Sequence, residues 1–370
     1  MQDFAGFFFV PLKGGLVIHT SSPVPQFDPT ALLDEFRASA LSQLLVAGVT
    51  SFDVGKALES GPLPYPELCR FLRLGDRPAT VLMTALRSLG LIDVTADHLM
   101  CLTPYGREKI APSSPCNLRG YIGLGAFSAD TQAMIECLRN DRPAGNVSFV
   151  YHETAGPSAL DDPEISDSLT RAMAARASNV APSVARCLDL SSSRHLVDIG
   201  GAHGLYSFEL LRKHTLLSAS IIDRAPPLKV ASEYAAAAEL SERVHLIFGD
   251  IHGAELPASA DVVLMANILH DYNLHDASNL VRHFAEQLPS GGKLIILDAF
   301  LDSVPHDGPP VAPGPREVAA YSGMLFSICE GRCYRQDEFE KMLTDAGLRV
   351  EETVHHVPCH GRIMTGVRRN

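Results

Sequence analysis

From residue 194 onward, short apolar runs alternate with amphipathic stretches, and that rhythm narrows the possible folds to very few. "HLVDIG" (195–200), "LSASIID" (217–223), "RVHLIFGD" (243–250), "DVVLMANILHDY" (261–272) and "GGKLIILDAF" (291–300) have the length and apolar content of buried strands. Between them, "GLYSFELLRKH" (204–214), "PPLKVASEYAAAAEL" (226–240) and "HDASNLVRHFAEQL" (275–288) carry helical spacing. Strand and helix alternating at this short interval predict an α/β, Rossmann-like, doubly wound and mostly parallel sheet. The chain has 370 residues, room for a second domain, and 46% hydrophobic residues, enough to fill two cores.

The first part of the chain has a different texture. "DPTALLDEFRASALSQLLVAGV" opens with an aspartate and a first-turn proline and continues at helical spacing. "PYPELCRFLRLG" is a short second helix, and "DRPATVLMTALRSLGLI" a third, with Val81, Leu82, Ala85, Leu86 and Leu89 expected on one face. "IDVTADHLMCLTPYGREKI" then reads as two short strands around "TADH". Three helices and a two-stranded wing predict a mainly helical, winged-helix-like domain over 1–115, read as a DNA-binding or as a packing or dimerisation domain, preceding connecting helices and the α/β domain over 116–370. Residues 1–20 are read as an extension with two apolar runs around "KGG", suggestive of a hairpin, and "VPHDGPPVAPGP" (304–315) as a loop over the site.

Charge and cysteine usage exclude some classes. A formal net charge of −12 disfavours nucleic acid or an anionic membrane as partner, although Arg70, Arg73, Arg77 and Arg87 cluster in the winged region, as a DNA-binding or simply solvated helix face. Eight scattered cysteines without a framework point to reduced thiols and a cytoplasmic setting, and no membrane span or signal peptide is expected. "HHVPCH" and "HETAG" (from His152) do not complete a zinc ligand set, so no metal is expected.

The candidate site begins at "LVDIGGAHG" (196–204). An apolar strand reaches Asp198 and breaks into Gly200, Gly201 and Gly204. A dinucleotide fingerprint would need glycines where Ala202 and Leu205 stand, and a phosphate-cradling loop would need Gly-Lys-Ser/Thr. The pattern acid-x-Gly-x-Gly-x-Gly fits, with Ala202 in its middle glycine slot. A carboxylate beside a pyrophosphate is repelled; beside an ammonium or sulfonium it is attracted by a few kcal/mol, order of magnitude, in a partly desolvated site. S-adenosylmethionine carries both cations. Asp223, 25 residues on, ends the second strand where a ribose diol is received, and Asp250 ends the third, where it can accept from an adenine amine.

With "IIDRAP", "VHLIFGDIH", "NILHDYN", "GGKLIILDAFL" and, loosely, "GRCYRQDEFEKMLTDAGL" added to that turn, the chain resembles the class I S-adenosylmethionine-dependent small-molecule O-methyltransferases of the caffeate type. The resemblance covers nearly the whole chain. It implies S-adenosylmethionine as cofactor with no metal, a homodimer, and a small aromatic hydroxylated secondary metabolite as acceptor. It implies His270 as general base, oriented by Asp298. It assigns Asp198, Gly200, Gly201, Gly204, Asp223, Asp250, Ile251 and Asn267 to the cofactor, and Met173, Tyr321 and Met324 (with Phe326 nearby) to the acceptor side. A second supporting acid of plant members falls near Cys333 and is missing; Glu330 is three residues away. That departure leaves C- or N-methylation, decarboxylation or cyclisation open beside O-methylation. A nicotinamide-dependent oxidoreductase and a non-catalytic winged-helix regulator are the competing readings from other classes.

Overall fold

A computed structural model describes residues 24–143 and 161–369; the expected extension at 1–20 and "HETAG" lie outside them. The described chain runs α1 (Thr30–Val49), α2 (Val54–Glu59), β1 (Leu63–Pro64), α3 (Tyr65–Leu72), α4 (Asp76–Ser88), β2 (Ile92–Val94), β3 (Leu99–Leu102), α5 (Pro104–Ile110), α6 (Arg119–Ile122) and α7 (Ala129–Asn140). It continues with α8 (Pro163–Cys187), β4 (His195–Ile199), α9 (Leu205–Lys213), β5 (Ser218–Asp223), α10 (Ala225–Ala237), β6 (Val244–Phe248), β7 (Val262–Ala266), α11 (Leu274–Gln287) and β8 (Lys293–Ala299). The last elements are α12 (Arg316–Ile328), α13 (Gln336–Asp345), β9 (Leu348–Val350), β10 (His355–Val357) and β11 (Gly361–Arg368). Two compact units result, one from 32–143 and 300–338, the other from 24–31, 161–299 and 339–369.

In the first unit the two strands expected around "TADH" form, and β1 adds a third, giving an antiparallel sheet β1-β3-β2. The core gathers Leu44, Leu58, Leu68, Leu82, Leu86 and Met100, all buried. Helix α4 was expected to bury one face, but every residue from Pro78 to Leu86 is buried, because α12 packs against it as well. Helix α12 also closes on α1: a Cβ on Gly323 would stand 2.6 Å from Leu44 Cδ1. Arginines 77 and 87 form no solvated basic face. Arg77 pairs with Asp141 at 2.7 Å and donates to the carbonyls of Cys329 and Gly331. Arg87 pairs with Asp93 and donates to the carbonyl of Val311. The 304–315 segment has no regular structure, as its prolines and glycines dictate, and Arg335 holds it further by donating to the carbonyl of Pro310.

The second unit is built on the doubly wound sheet, ordered β10-β11-β8-β7-β4-β5-β6 with β9 paired to β11. Strands β4 to β8 are mutually parallel, and β11 closes one side antiparallel to β8. Strand β4 is buried at all five positions, as a parallel strand covered on both faces must be. Basic side chains satisfy the carbonyls left over at helix C-termini. Lys213 Nζ reaches Ala185 O and Leu188 O after α8, and Arg243 Nη2 reaches Leu211 O and His214 O at the end of α9. Arg368 Nη1 does the same for α11 at Ala285 O. The chain passes from β4 outward to β5 and β6, then returns to β7 and β8 on β4's other side. The β4/β7 boundary is thus the topological switch point, where ligands of open α/β sheets bind at the carboxyl ends.

Candidate active site

Both halves of the predicted site emerge at that switch point, the glycine turn after β4 and the His270 turn after β7. Asp198 is 1% exposed near the end of β4. Its Oδ2 accepts a 2.6 Å hydrogen bond from Ser207 Oγ on the first turn of α9, while Oδ1 has no hydrogen-bond partner among the described residues. Burial pushes its pKa up to about 7, against the Ser207 hydrogen bond and with some help from the charge of Asp223. A buried carboxylate oxygen left without a donor is costly in a ligand-free protein. It suits a cationic ligand.

The glycines are where they are for steric reasons. A Cβ on Gly201 would lie 2.5 Å from the Asp198 carboxyl carbon, so this position must be bare for the acid to sit under the turn. Gly204 has φ +76° and initiates α9, and a Cβ there would strike the Phe208 ring. Gly200, at φ +63°, donates its N–H to Ile222 O across to β5. Ala202, in the slot where the pattern has glycine, has φ +43° and donates its N–H to Asp223 Oδ2 at 2.8 Å.

Asp223 at the end of β5 accepts that bond and a second from the N–H of Arg224. Burial raises its pKa to about 6 despite both bonds. Asp250, in the turn after β6, accepts from the N–H of His252 and meets the His252 ring nitrogen Nδ1 at 2.8 Å. Ile251 beside it is buried. Asn267, at φ +55° just after β7, bridges two residues: its Oδ1 accepts from Arg176 Nη2 at 2.7 Å, and its Nδ2 donates to Tyr206 Oη at 3.2 Å.

His270 lies in a single 3-10 turn, Leu269–Asp271, and is 4% exposed. Its Nδ1 is 2.6 Å from Asp298 Oδ1 on β8, and its Nε2 is 3.6 Å from Asp271 Oδ1. Asp298 is 1% exposed, and its Oδ2 has no hydrogen-bond partner among the described residues. Burial alone would depress the His270 pKa, but the carboxylates of Asp298 and Asp271 outweigh it and hold the imidazole above its ordinary value. This is a histidine whose tautomer is set by an acid, Nδ1–H toward the carboxylate, leaving Nε2 to handle a proton.

The structure brings together in one unit Asp198, the three glycines, Asp223, Asp250, Ile251, Asn267, His270, Asp298 and, on α8, the partly exposed Met173. Tyr321 and Met324 belong to α12 in the first unit, where the Arg37 guanidinium lies 3.9 Å over the Tyr321 ring. Glu330 and the buried Cys333 are in that unit too. Sequence reasoning missed Ser207, Arg176, His203 and Tyr206. The first is signalled by its place one turn into the helix after the glycines; the lone Arg176 on α8 has no signal beyond its neighbourhood to Met173. Among the described residues no cluster of three or more metal-ligating side chains occurs, and no helix is long and apolar enough to cross a membrane.

Residues 132–349 match the O-methyltransferase domain. The 3-hydroxy-5-methyl-1-naphthoate 3-O-methyltransferase of Streptomyces sahachiroi is 27% identical over 352 residues, spanning 94% of this chain and 98% of the relative. The tetracenomycin polyketide synthesis 8-O-methyltransferase of Streptomyces glaucescens is 28% identical over 83% of this chain and 87% of its own. Among solved structures, an O-methyltransferase family 2 protein from Planctomyces limnophilus, in complex with apigenin, superposes with a TM-score of 0.83 at 32% identity, over 95% of this chain and 99% of that one. With a domain match over more than half its length and a near full-length relative above 30% identity, the chain belongs to the O-methyltransferase family and is an S-adenosylmethionine-dependent O-methyltransferase.

Proposed function

We propose that the chain methylates a hydroxyl of a small aromatic secondary metabolite, with His270 as the general base. The observation that carries this reading is the buried His270–Asp298 contact at the switch point, 2.6 Å long. When bound, S-adenosylmethionine supplies an electrophilic methyl group on a cationic sulfur. A phenol near pKa 10 is a weak nucleophile at pH 7, so its proton has to leave as the oxygen–methyl bond forms. His270 Nε2 receives that proton, and Asp298, bonded to Nδ1, stabilises the imidazolium that results. Leu269 and His270 are buried, which keeps bulk water from the proton-accepting ring, and in a displacement reaction alignment of the reactants supplies much of the rate.

Cofactor contacts are assigned to Asp198 for a cationic group, Asp223 for the ribose diol, Asp250 and Ile251 for adenine, Gly200, Gly201 and Gly204 for backbone approach, and Asn267 for the methionine end. Met173, Tyr321 and Met324 are assigned to the acceptor on the family resemblance. The names of the relatives, a naphthoate and a polyketide methyltransferase, support a polycyclic or bicyclic phenol as acceptor. The test is transfer of label from methyl-labelled S-adenosylmethionine to a panel of hydroxynaphthoates, hydroxybenzoates and polyketide phenols. An aryl methyl ether as product supports the reading; label on carbon or nitrogen, or none on any phenol, overturns it.

The reading includes a cytoplasmic homodimer. Its support is the apolar surface of the first unit: Leu32 and Phe36, one turn apart on α1, with Tyr121, Leu124 and Phe127, all exposed. Monomeric proteins rarely leave so many large apolar side chains in water. Tyr121→Asp combined with Phe127→Asp is expected to convert a dimer to a monomer in sedimentation equilibrium. A wild-type chain that sediments as a monomer at micromolar concentration rejects the dimer.

A further inference from the structure

Asp250 is assigned above to the adenine amine, yet it sits in a partly exposed turn, where a carboxylate keeps one orientation only if something holds it. We propose that His252 is a positioning residue that holds Asp250 in its amine-accepting orientation and braces the turn carrying His270; the inference rests on the cofactor reading.

Two contacts from His252 fall on the same carboxylate oxygen. Its N–H donates to Asp250 Oδ1 at 2.9 Å, and its ring Nδ1 lies 2.8 Å from that oxygen. A carboxylate only accepts, so the proton of the ring contact sits on Nδ1. The backbone bond from two residues on makes an Asx turn, and the N–H of Gly253, donating to Asp250 O at 3.2 Å, tightens it. That turn fixes the backbone of Asp250, and the ring adds the second donor that fixes the plane of its carboxylate. Among the described residues Oδ2 takes no hydrogen bond, so it is the oxygen left to accept from an amine.

The same ring also meets the turn of the general base. His252 and Tyr272 form a T-shaped pair, with ring centroids 5.1 Å apart and planes at 80°. Such a pair is attractive and directional. Tyr272 is buried, and its N–H donates to Leu269 O at 3.3 Å, closing the 3-10 turn Leu269–Asp271 that carries His270. One imidazole thus touches the acid assigned to adenine through its donor and the cap of the catalytic turn through its ring. The two contacts are separable by substitution. Phenylalanine keeps a ring and has no donor; asparagine places an amide donor where Nδ1 stands and has no ring.

The experiment compares S-adenosylhomocysteine with its 6-deamino analogue, which carries hydrogen in place of the adenine amine, by calorimetric titration. The wild type is expected to bind the analogue at least tenfold more weakly. His252→Phe is expected to weaken S-adenosylhomocysteine by about three- to tenfold while changing the analogue by less than twofold. His252→Asn is expected to keep S-adenosylhomocysteine within about twofold of wild type. Amide hydrogen exchange of the ligand-free protein reads the other contact. The N–H of Tyr272 is expected to exchange about three- to tenfold faster in His252→Asn than in the wild type, and at the wild-type rate in His252→Phe. Unchanged analogue binding also shows that each variant is folded. Equal loss of both compounds in His252→Phe, or loss of neither, overturns the hold on Asp250. Wild-type exchange at Tyr272 in His252→Asn overturns the brace on the catalytic turn. Equal wild-type affinity for the two compounds removes Asp250 from the adenine amine, and binding of neither sinks the cofactor assignment; both failures show in the wild type before any variant is made.

Discussion

His270→Ala is expected to lower kcat by about 10²- to 10⁴-fold while leaving the Kd of S-adenosylhomocysteine within threefold. The side chain sits after β7 with Nδ1 bonded to Asp298 on β8, outside the glycine turn after β4. Its loss removes proton acceptance and not binding. The pH profile carries the finer test. The base must be neutral, so kcat/KM falls as pH drops through the pKa of His270, which the carboxylates of Asp298 and Asp271 raise above the ordinary histidine value in spite of burial. Asp298→Asn removes the larger of those two charges. The acidic limb is then expected to move to lower pH even as kcat falls, because the imidazolium formed in the transition state loses its buried counter-charge. A structural role for Asp298 predicts lower activity with an unmoved limb. An unshifted profile in Asp298→Asn removes Asp298 as the counter-charge of His270, and near-wild-type kcat in His270→Ala removes the general-base assignment.

Much of this site was legible because backbone constraints write themselves into sequence. The strand–helix rhythm after residue 194 reports two-sided burial, and the break at Gly200–Gly204 reports an acid packed under a turn with no room for a Cβ. Asp298 was legible only through its position in "LIILDAF", since a strand buried from Leu294 to Ala299 gives no sign of which residue faces a histidine 28 positions earlier. Other features leave no local trace. Arg176 and Arg171 look alike in "TRAMAARA", yet Arg171 pairs with Asp167 and Glu233 while Arg176 turns to Asn267. Which side each helical arginine takes depends on what packs against α8. Segment 300–338 clusters with the first unit because α12 is apolar nearly all round, and an apolar helix does not say whose core it fills. The arginines of α4 likewise looked like a surface, and are spent on carbonyls of residues more than 200 positions away.

Asp198→Asn is expected to cost at least tenfold in S-adenosylmethionine affinity and yet to raise the Tm of the ligand-free protein at pH 8. The two effects have one origin. In the ligand-free state a carboxylate is buried with one oxygen lacking a hydrogen-bond partner among the described residues, and burial lifts its pKa to about 7. An acid whose folded pKa lies above its unfolded value, ~3.9, binds more protons folded than unfolded between those two values. Its contribution to stability therefore declines as pH rises from about 4 to 7, and the penalty is complete above that. Asparagine keeps the shape and the acceptor for Ser207 Oγ but carries no charge to desolvate. A gain of about 1–2 kcal/mol at pH 8 corresponds to roughly 3–6 °C in Tm for a unit of this size, and the gain should shrink toward pH 5. Binding shows the opposite face of the same linkage. A cation requires the ionised carboxylate, so wild-type affinity is expected to rise up to about tenfold per pH unit between pH 5 and 7 and then level off, with proton release detectable in buffers of different ionisation enthalpy. Asp223, raised to about 6, contributes to the slope at the lower end, so the variant should retain part of the pH dependence below 6 and lose it near 7. Ligand-induced stabilisation follows affinity, and the increase in Tm on adding S-adenosylmethionine should fall in the variant. If Asp198→Asn binds as tightly as wild type with the same pH slope, the acid at the end of β4 is not the cation's partner. If the variant is destabilised at pH 8 instead, the carboxylate has a donor that replaces water in the ligand-free state, and the desolvation cost assigned to it does not exist.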